Sequence, residues 1–261
     1  MLDVSMTPSL LGLEVKGDCD ELNRLYDAIW ELVGTDYDDD PRVNTQGAIM
    51  RERLLALCYD LRHAYMGSRN VRMEENGMSR ERAEWLGISL PPLNNVYYSV
   101  EVLYPEAMYE VMVLGYLLGV RKAKLVKKRS FSAYDADDPR VLFDQPSATV
   151  AHYQSLVMEA VRARTSPNAF SRIRKQVREG FCRVPDMYTQ WLDVINCDWC
   201  RLSADRRCSK LSTVVRDVSD YWDDQRYRDL KAGIDEYVRE SGAARANVIV
   251  ADVDYPDEYE W

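Results

Sequence analysis

Hydrophobic and polar positions alternate with two periods along this chain, and the change of period marks its elements. Leu2, Val4 and Met6 alternate with polar residues, as do Leu11, Leu13 and Val15, and Thr7-Pro8-Ser9 lies between the two runs. Period two across a turn predicts an N-terminal hairpin. Asp18 followed by Glu21 is a capping-box pattern, and Leu22, Leu25, Tyr26, Ile29 and Val33 then recur at helical spacing up to Gly34. Met50, Leu54, Leu57, Leu61 and Tyr65 form a second helical stripe, with Asn44 or Thr45 as its cap and Gly67 as its stop.

Val71 to Glu75 reads as a short strand ending at the turn dipeptide Asn76-Gly77, and Ser79 to Gly87 as a short helix. Val96, Tyr98, Val100, Val102 and Tyr104 alternate in the best strand of the chain. Pro105 suits the first position of the helix that follows, which runs to Val120 and is apolar on nearly every side except at Glu110. Such a helix belongs between other elements.

From Ser147 onward the period is helical. Val150, Tyr153, Val157 and Val161 line one helix, and Phe170, Ile173 and Val177 line another that opens at Ser166-Pro167 and stops at Gly180. Tyr188, Trp191, Leu192 and Ile195 follow Pro185; Leu211, Val215, Val218 and Trp222 follow a cap at Ser203; Tyr227, Leu230, Ile234 and Tyr237 run to Gly242. Val248 and Val250 suggest a last strand. The expected fold is α+β: a small, mostly antiparallel sheet packed by helices, with a helical C-terminal half. Residues 1–129 form the α+β part, 130–146 an exposed linker or insert, and 147–261 the helical part, all read as one continuous unit.

Composition narrows the function. With 46% hydrophobic residues the chain can bury a large core, and 43 acids against 34 bases (formal charge −9) work against broad binding to a phosphate backbone. No leader with a positive start and a long apolar run is visible, and Ala107 to Val120 is too short for a membrane span, which points to the cytoplasm. The one basic run, residues 121–129, reads as a helix C-terminus complementing its dipole, with an anionic membrane or nucleic-acid surface as the alternative. Asp36 to Pro41 reads as a solvated loop, since it lacks the spaced ligands of a calcium loop.

Two chemical constellations stand out. Tyr59, Arg62, His63 and Met66 share one face of the central helix with Asp60 within reach of His63, so His63 is a candidate base, Asp60 its orienter and Arg62 an anion clamp. The competing reading makes the three a structural network. Cys197-Asp198-Trp199-Cys200 with Cys182 and Cys208 supplies four sulfurs, the number a structural zinc site needs, but at a spacing foreign to zinc ribbons, so buried thiols are the default. No phosphate-binding loop, dinucleotide fingerprint, nucleophile elbow or zinc-protease helix is present, and His152 is the only other histidine. No cofactor is expected.

Thr7-Pro8 with Gly12, Gly17-Asp18 with Tyr26-Asp27-Ala28, the run Cys58-Tyr59-Asp60-Leu61-Arg62-His63-Ala64-Tyr65-Met66-Gly67, Asn95-Val96-Tyr97-Tyr98-Ser99 and the final Glu260-Trp261 together resemble an uncharacterised bacterial protein family. The resemblance runs the full length. It implies a bacterial, cytoplasmic protein and brings no substrate, cofactor or catalytic residue with it, and the cysteines of the C-terminal half lie outside its pattern. The reading taken forward is a non-enzymatic binding or regulatory protein acting through a protein partner, with Tyr59, Tyr65, Tyr255, Tyr259 and Trp261 as binding residues. A hydrolase or nuclease built on Asp60, Arg62 and His63 is the alternative.

Overall fold

The computed structural model describes residues 1–34, 41–89, 92–130, 132–179, 187–245, 248–249 and 253–261. Asp3–Met6 (β1) and Gly12–Gly17 (β2) form the expected hairpin. Its turn is held by Thr7, whose Oγ1 accepts from the Gly12 N–H at 3.0 Å. Cys19–Val33 (α1) starts at a full capping box: the Asp18 carboxylate accepts from Glu21 N–H, and the Glu21 carboxylate accepts from Asp18 N–H.

Pro41–Tyr65 (α2) begins earlier than the polar caps suggested, so Asn44 and Thr45 lie inside it. Proline needs no N–H partner in a first turn, and Pro41 occupies that place. Met50, Leu54, Leu57 and Leu61 are buried as the stripe requires, and Cys58 and Ala64 widen it. Gly67 follows with φ +80°, the left-handed geometry that favours glycine.

Asn70–Glu75 (β3), Arg80–Trp85 (α3) and Asn94–Leu103 (β4) come next. The sheet is antiparallel throughout, in the order β1-β2-β4-β3. Val4, Val15, Val100, Leu13 and Val102 share its core face. Glu14, Lys16, Arg72 and Glu74 occupy the opposite face, where Arg72 pairs with Glu14 at 2.7 Å and Lys16 with Glu74 at 3.0 Å.

Tyr104–Leu125 (α4) is the central helix of the molecule, buried from Tyr104 to Leu114 apart from the partly covered Glu106. Tyr104 belongs to this helix rather than to the strand, which places Pro105 inside the first turn. The basic run behaves as a helix end: Arg121 grips Asp144 through two bonds of 2.6 and 2.7 Å and reaches Glu31 at 2.9 Å, and Lys128 pairs with Asp135.

Residues 130–146 hold the short helix Pro139–Leu142 (α5), and Tyr134 and Phe143 there are exposed. The C-terminal helices are Gln145–Arg162 (α6), Pro167–Glu179 (α7), Tyr188–Cys200 (α8), Ala204–Ser219 (α9) and Gln225–Ser241 (α10). The apolar positions read for α6 and α8 are all buried. Trp222 is not: α9 ends at Ser219, and the residue sits half exposed in a 3-10 turn. Val248 is buried but belongs to no strand, and Val250, Gly180, Pro185 and 36–40 lie outside the described residues.

α1 packs on α2 and α6, and α4 touches α6, α7, α8 and α9, so sheet and helices share one buried cluster from Leu2 to Val248. The Trp199 indole ties the two halves, donating to Leu11 O at 2.7 Å while stacking on Tyr104. No described helix is long and apolar enough to cross a membrane.

Candidate functional site

β3 stops pairing with β4 at Asn70 opposite Ser99, so the edge of β4 beyond that point is free to border a cleft. α2 forms one wall of this cleft with Arg53, Leu57 and Asp60, which share a face because they lie four, three and seven residues apart. α4 contributes Glu106 and Glu110, one turn apart, and α8 contributes Asn196. Tyr255 and Trp261 close it. The cleft has a volume of about 250 Å³ and opens to solvent.

Arg53 organises the polar wall. It donates to Asp193 Oδ1 at 2.5 Å and to Thr189 O at 3.2 Å, and it approaches Glu106 Oε2 at 3.5 Å. The same Glu106 oxygen accepts from Asn196 Nδ2 at 2.7 Å. Burial opposes the charge on Arg53, but Glu106 and Asp193 outweigh it and hold the guanidinium firmly protonated. Burial raises the Glu106 pKa against the opposing pull of Arg53 and Asn196.

Glu110 has less relief, since only the more distant pull of Arg53 opposes its burial. It is 3% exposed, its Oε2 has no hydrogen-bond partner, and burial followed by the Glu106 and Asp60 charges pushes its pKa well above the carboxylate range. Asn196 Oδ1 is likewise buried and without a partner. Native interiors leave few such atoms, and these two belong to side chains that line the same cleft.

The 253–261 segment is docked on the body. Asp254 O accepts from Cys197 Sγ at 3.0 Å and from Arg201 at 2.8 Å; Tyr255 OH lies 3.4 Å from Asp193; Ser9 Oγ donates to Glu260 O at 2.5 Å. Trp261 packs against Gly12 so closely that an added Cβ there would sit 2.8 Å from its ring and 2.0 Å from Val102 O.

The structure therefore brings Asp60, Tyr255 and Trp261 together and leaves the other candidates elsewhere. Asp60 pairs with Arg69 at 2.5 Å rather than with His63. His63 Nδ1 meets the Tyr59 carbonyl one turn back at 2.8 Å, and its ring lies 3.9 Å from that of Tyr59 on an outer face of α2. Arg62 is exposed, Tyr65 packs edge-on against Tyr26, and Tyr259 meets Trp261 edge-on. Asp60 lines the cleft with Arg53 and Leu57, and its carboxylate is taken by Arg69. His152 is exposed beside the buried Tyr153.

Cys197 and Cys200 are buried on α8, Cys208 is exposed on α9, and Cys182 lies outside the described residues. Burial pushes the Cys200 thiol up to about 11, opposite to what a metal ligand requires. Among the described residues no group of three or more His, Cys, Asp or Glu side chains is placed to hold a metal ion. A larger hollow of about 930 Å³ lies between the start of α9 and residues 255–260. Its buried Arg207 donates to Trp199 O, Cys200 O and Ser9, thereby satisfying the end of α8.

Comparison with protein-family models matches residues 2–261 to DUF6904, a domain of unknown function. The chain belongs to the DUF6904 family. The match takes in every residue that lines the cleft, from Arg53 to Trp261. Comparisons with curated proteins and with solved structures gave no match.

Sequence reasoning missed Arg53, Glu106, Asp193 and Asn196. The available signal was Glu110, a single acid inside the most apolar helix of the chain.

Proposed function

We propose that this protein is a non-enzymatic binding protein that works through contact with another protein chain at strand β3. The carrying observation is the state of that strand: it is one of the two edges of the sheet, five of its six residues are exposed, and it contains neither proline nor lysine. Such an edge, although it carries charges at Arg72, Glu74 and Glu75, leaves one row of backbone groups without a strand partner, and that row is a template for strand addition.

Register supports the reading. Val71 lies opposite Tyr98 and Met73 opposite Val96, on the face that continues the Val15–Val100 core row. The helices cover Val100 and leave Met73 74% exposed, with Val71 and Val96 open beside it. Trp85, 82% exposed, and Leu93 add apolar surface along the β3–β4 connection. Apolar surface gathered in one region favours association.

The partner that fits is a second copy of the chain. In an antiparallel pair of β3 strands with Met73 on the two-fold axis, Arg72 faces Glu74 of the second copy and Glu74 faces its Arg72. Sedimentation equilibrium tests this directly. A dimer of two 30.2 kDa chains that falls to monomer in Met73→Lys is the expected result. A wild-type chain that stays monomeric at millimolar concentration, or a dimer indifferent to Met73→Lys, removes β3 as the contact.

A further inference from the structure

The cleft between α2, α4 and α8 is lined by two side chains with an unpaired acceptor atom. Glu110 Oε2 and Asn196 Oδ1 are both buried at its inner wall, and both lack a donor. Arg53, the cation lining the cleft, already donates to Asp193 and Thr189 and leans on Glu106. A ligand that donates hydrogen bonds and carries positive charge complements these two acceptors and the acidic lining around them. Anions are disfavoured, because Asp60, Glu101, Glu106 and Glu110 all line the same space. Tyr255 and Trp261 present aromatic surface to whatever enters, and aromatic faces attract organic cations.

We propose that this cleft is a binding site for a small alkylammonium ion, whose N–H groups fill the vacant acceptors Glu110 Oε2 and Asn196 Oδ1 while its carbon chain lies toward Leu57 and Tyr255. About 250 Å³ accommodates a chain of a few carbons. The site is separate from the β3 contact and stands or falls without it.

Binding must be coupled to a proton. Glu110 faces Glu106 on its own helix, Asp60, Arg53 and Cys58 on α2, and Tyr153 on α6, and in this setting it holds its proton in the empty site. An ammonium ion beside it stabilises the carboxylate, so the proton leaves as the ligand enters. Affinity then rises as the pH climbs through the raised Glu110 pKa, for as long as the amine keeps its charge.

Isothermal titration of the full chain with putrescine at physiological salt is the test. Expected are saturable one-to-one binding that strengthens with pH, a loss of at least about tenfold together with the pH dependence in Glu110→Gln, and abolition in Ala56→Phe, which fills the cleft from an exposed helix position without touching a charge. Nα-acetyl-lysinamide, titrated in parallel, distinguishes a free amine from a lysine side chain of another protein by which of the two binds more tightly. No binding of either amine, or binding unaltered by both variants, overturns the proposal, since diffuse attraction to an acidic surface does not respond to either change.

Discussion

Asn196 donates to Glu106 across 2.7 Å, and this bond joins α8 to α4 while leaving the other atom of the same amide, Oδ1, buried without a partner. One side chain thus both closes the helical half onto the central helix and opens an unmet demand at the cleft. The polar wall around it depends on Arg53, which balances Glu106 and Asp193 from the opposite helix.

Arg53→Met leaves Glu106 and Asp193 facing each other in a poorly solvated place. Removing one member of a largely buried charge cluster costs on the order of 3 kcal/mol. Urea denaturation should show the midpoint falling at unchanged slope; an unaltered midpoint would mean that water already screens the cluster.

Glu110 makes the protein stability depend on pH in a definite direction. Its folded pKa is raised above the ordinary 4.5, so its favourable contribution is complete below that value and is lost as pH rises toward the folded pKa. Glu110→Gln has no proton to lose. Its melting temperature should match wild type near pH 4.5 and exceed it increasingly as the pH is raised, a trend that thermal scans across the range will reveal or refute.

Gly12→Ala is expected to destabilise by about 3 kcal/mol or to prevent folding, because its Cβ would meet Val102 O at 2.0 Å and the Trp261 ring at 2.8 Å. Removing Trp261 relieves only the second clash. The double variant Gly12→Ala/Trp261→Ala should therefore remain far less stable than Trp261→Ala alone, as judged by circular dichroism melts.

His63→Ala should change stability by less than about 1 kcal/mol. The imidazole touches the Tyr59 ring and the Tyr59 carbonyl on its own helix and joins no buried network. A loss of several kcal/mol in chemical denaturation would reinstate His63 as part of the architecture.

The elements near the sheet were legible because their signals are local. Alternation announced β1, β2 and β4, Asp18 and Glu21 announced the start of α1, and the apolar character of residues 107–120, broken only at Glu110, announced a helix packed between other elements. Errors arose where the local signal was ambiguous. Asn44 and Thr45 looked like caps, yet Pro41 begins the helix, and Trp222 kept the period of α9 after the helix had ended.

The cleft was not legible for a different reason. Arg53, Glu106, Asp193 and Asn196 come from three helices separated in sequence by up to 143 positions, and each alone looks like an ordinary surface or first-turn residue. Asp60 showed the converse: its spacing from His63 was correct, but Arg69, arriving from beyond the helix end, captured its carboxylate.

The sequence by itself determined which residues form helices and strands and which faces of them enter the core, because periodicity and capping act within a few residues of the chain. Only the tertiary structure decided which polar groups meet, which buried acceptors go unmatched, and that β3 remains an open edge, because those outcomes depend on how rigid elements far apart in sequence are brought together by packing one common apolar core.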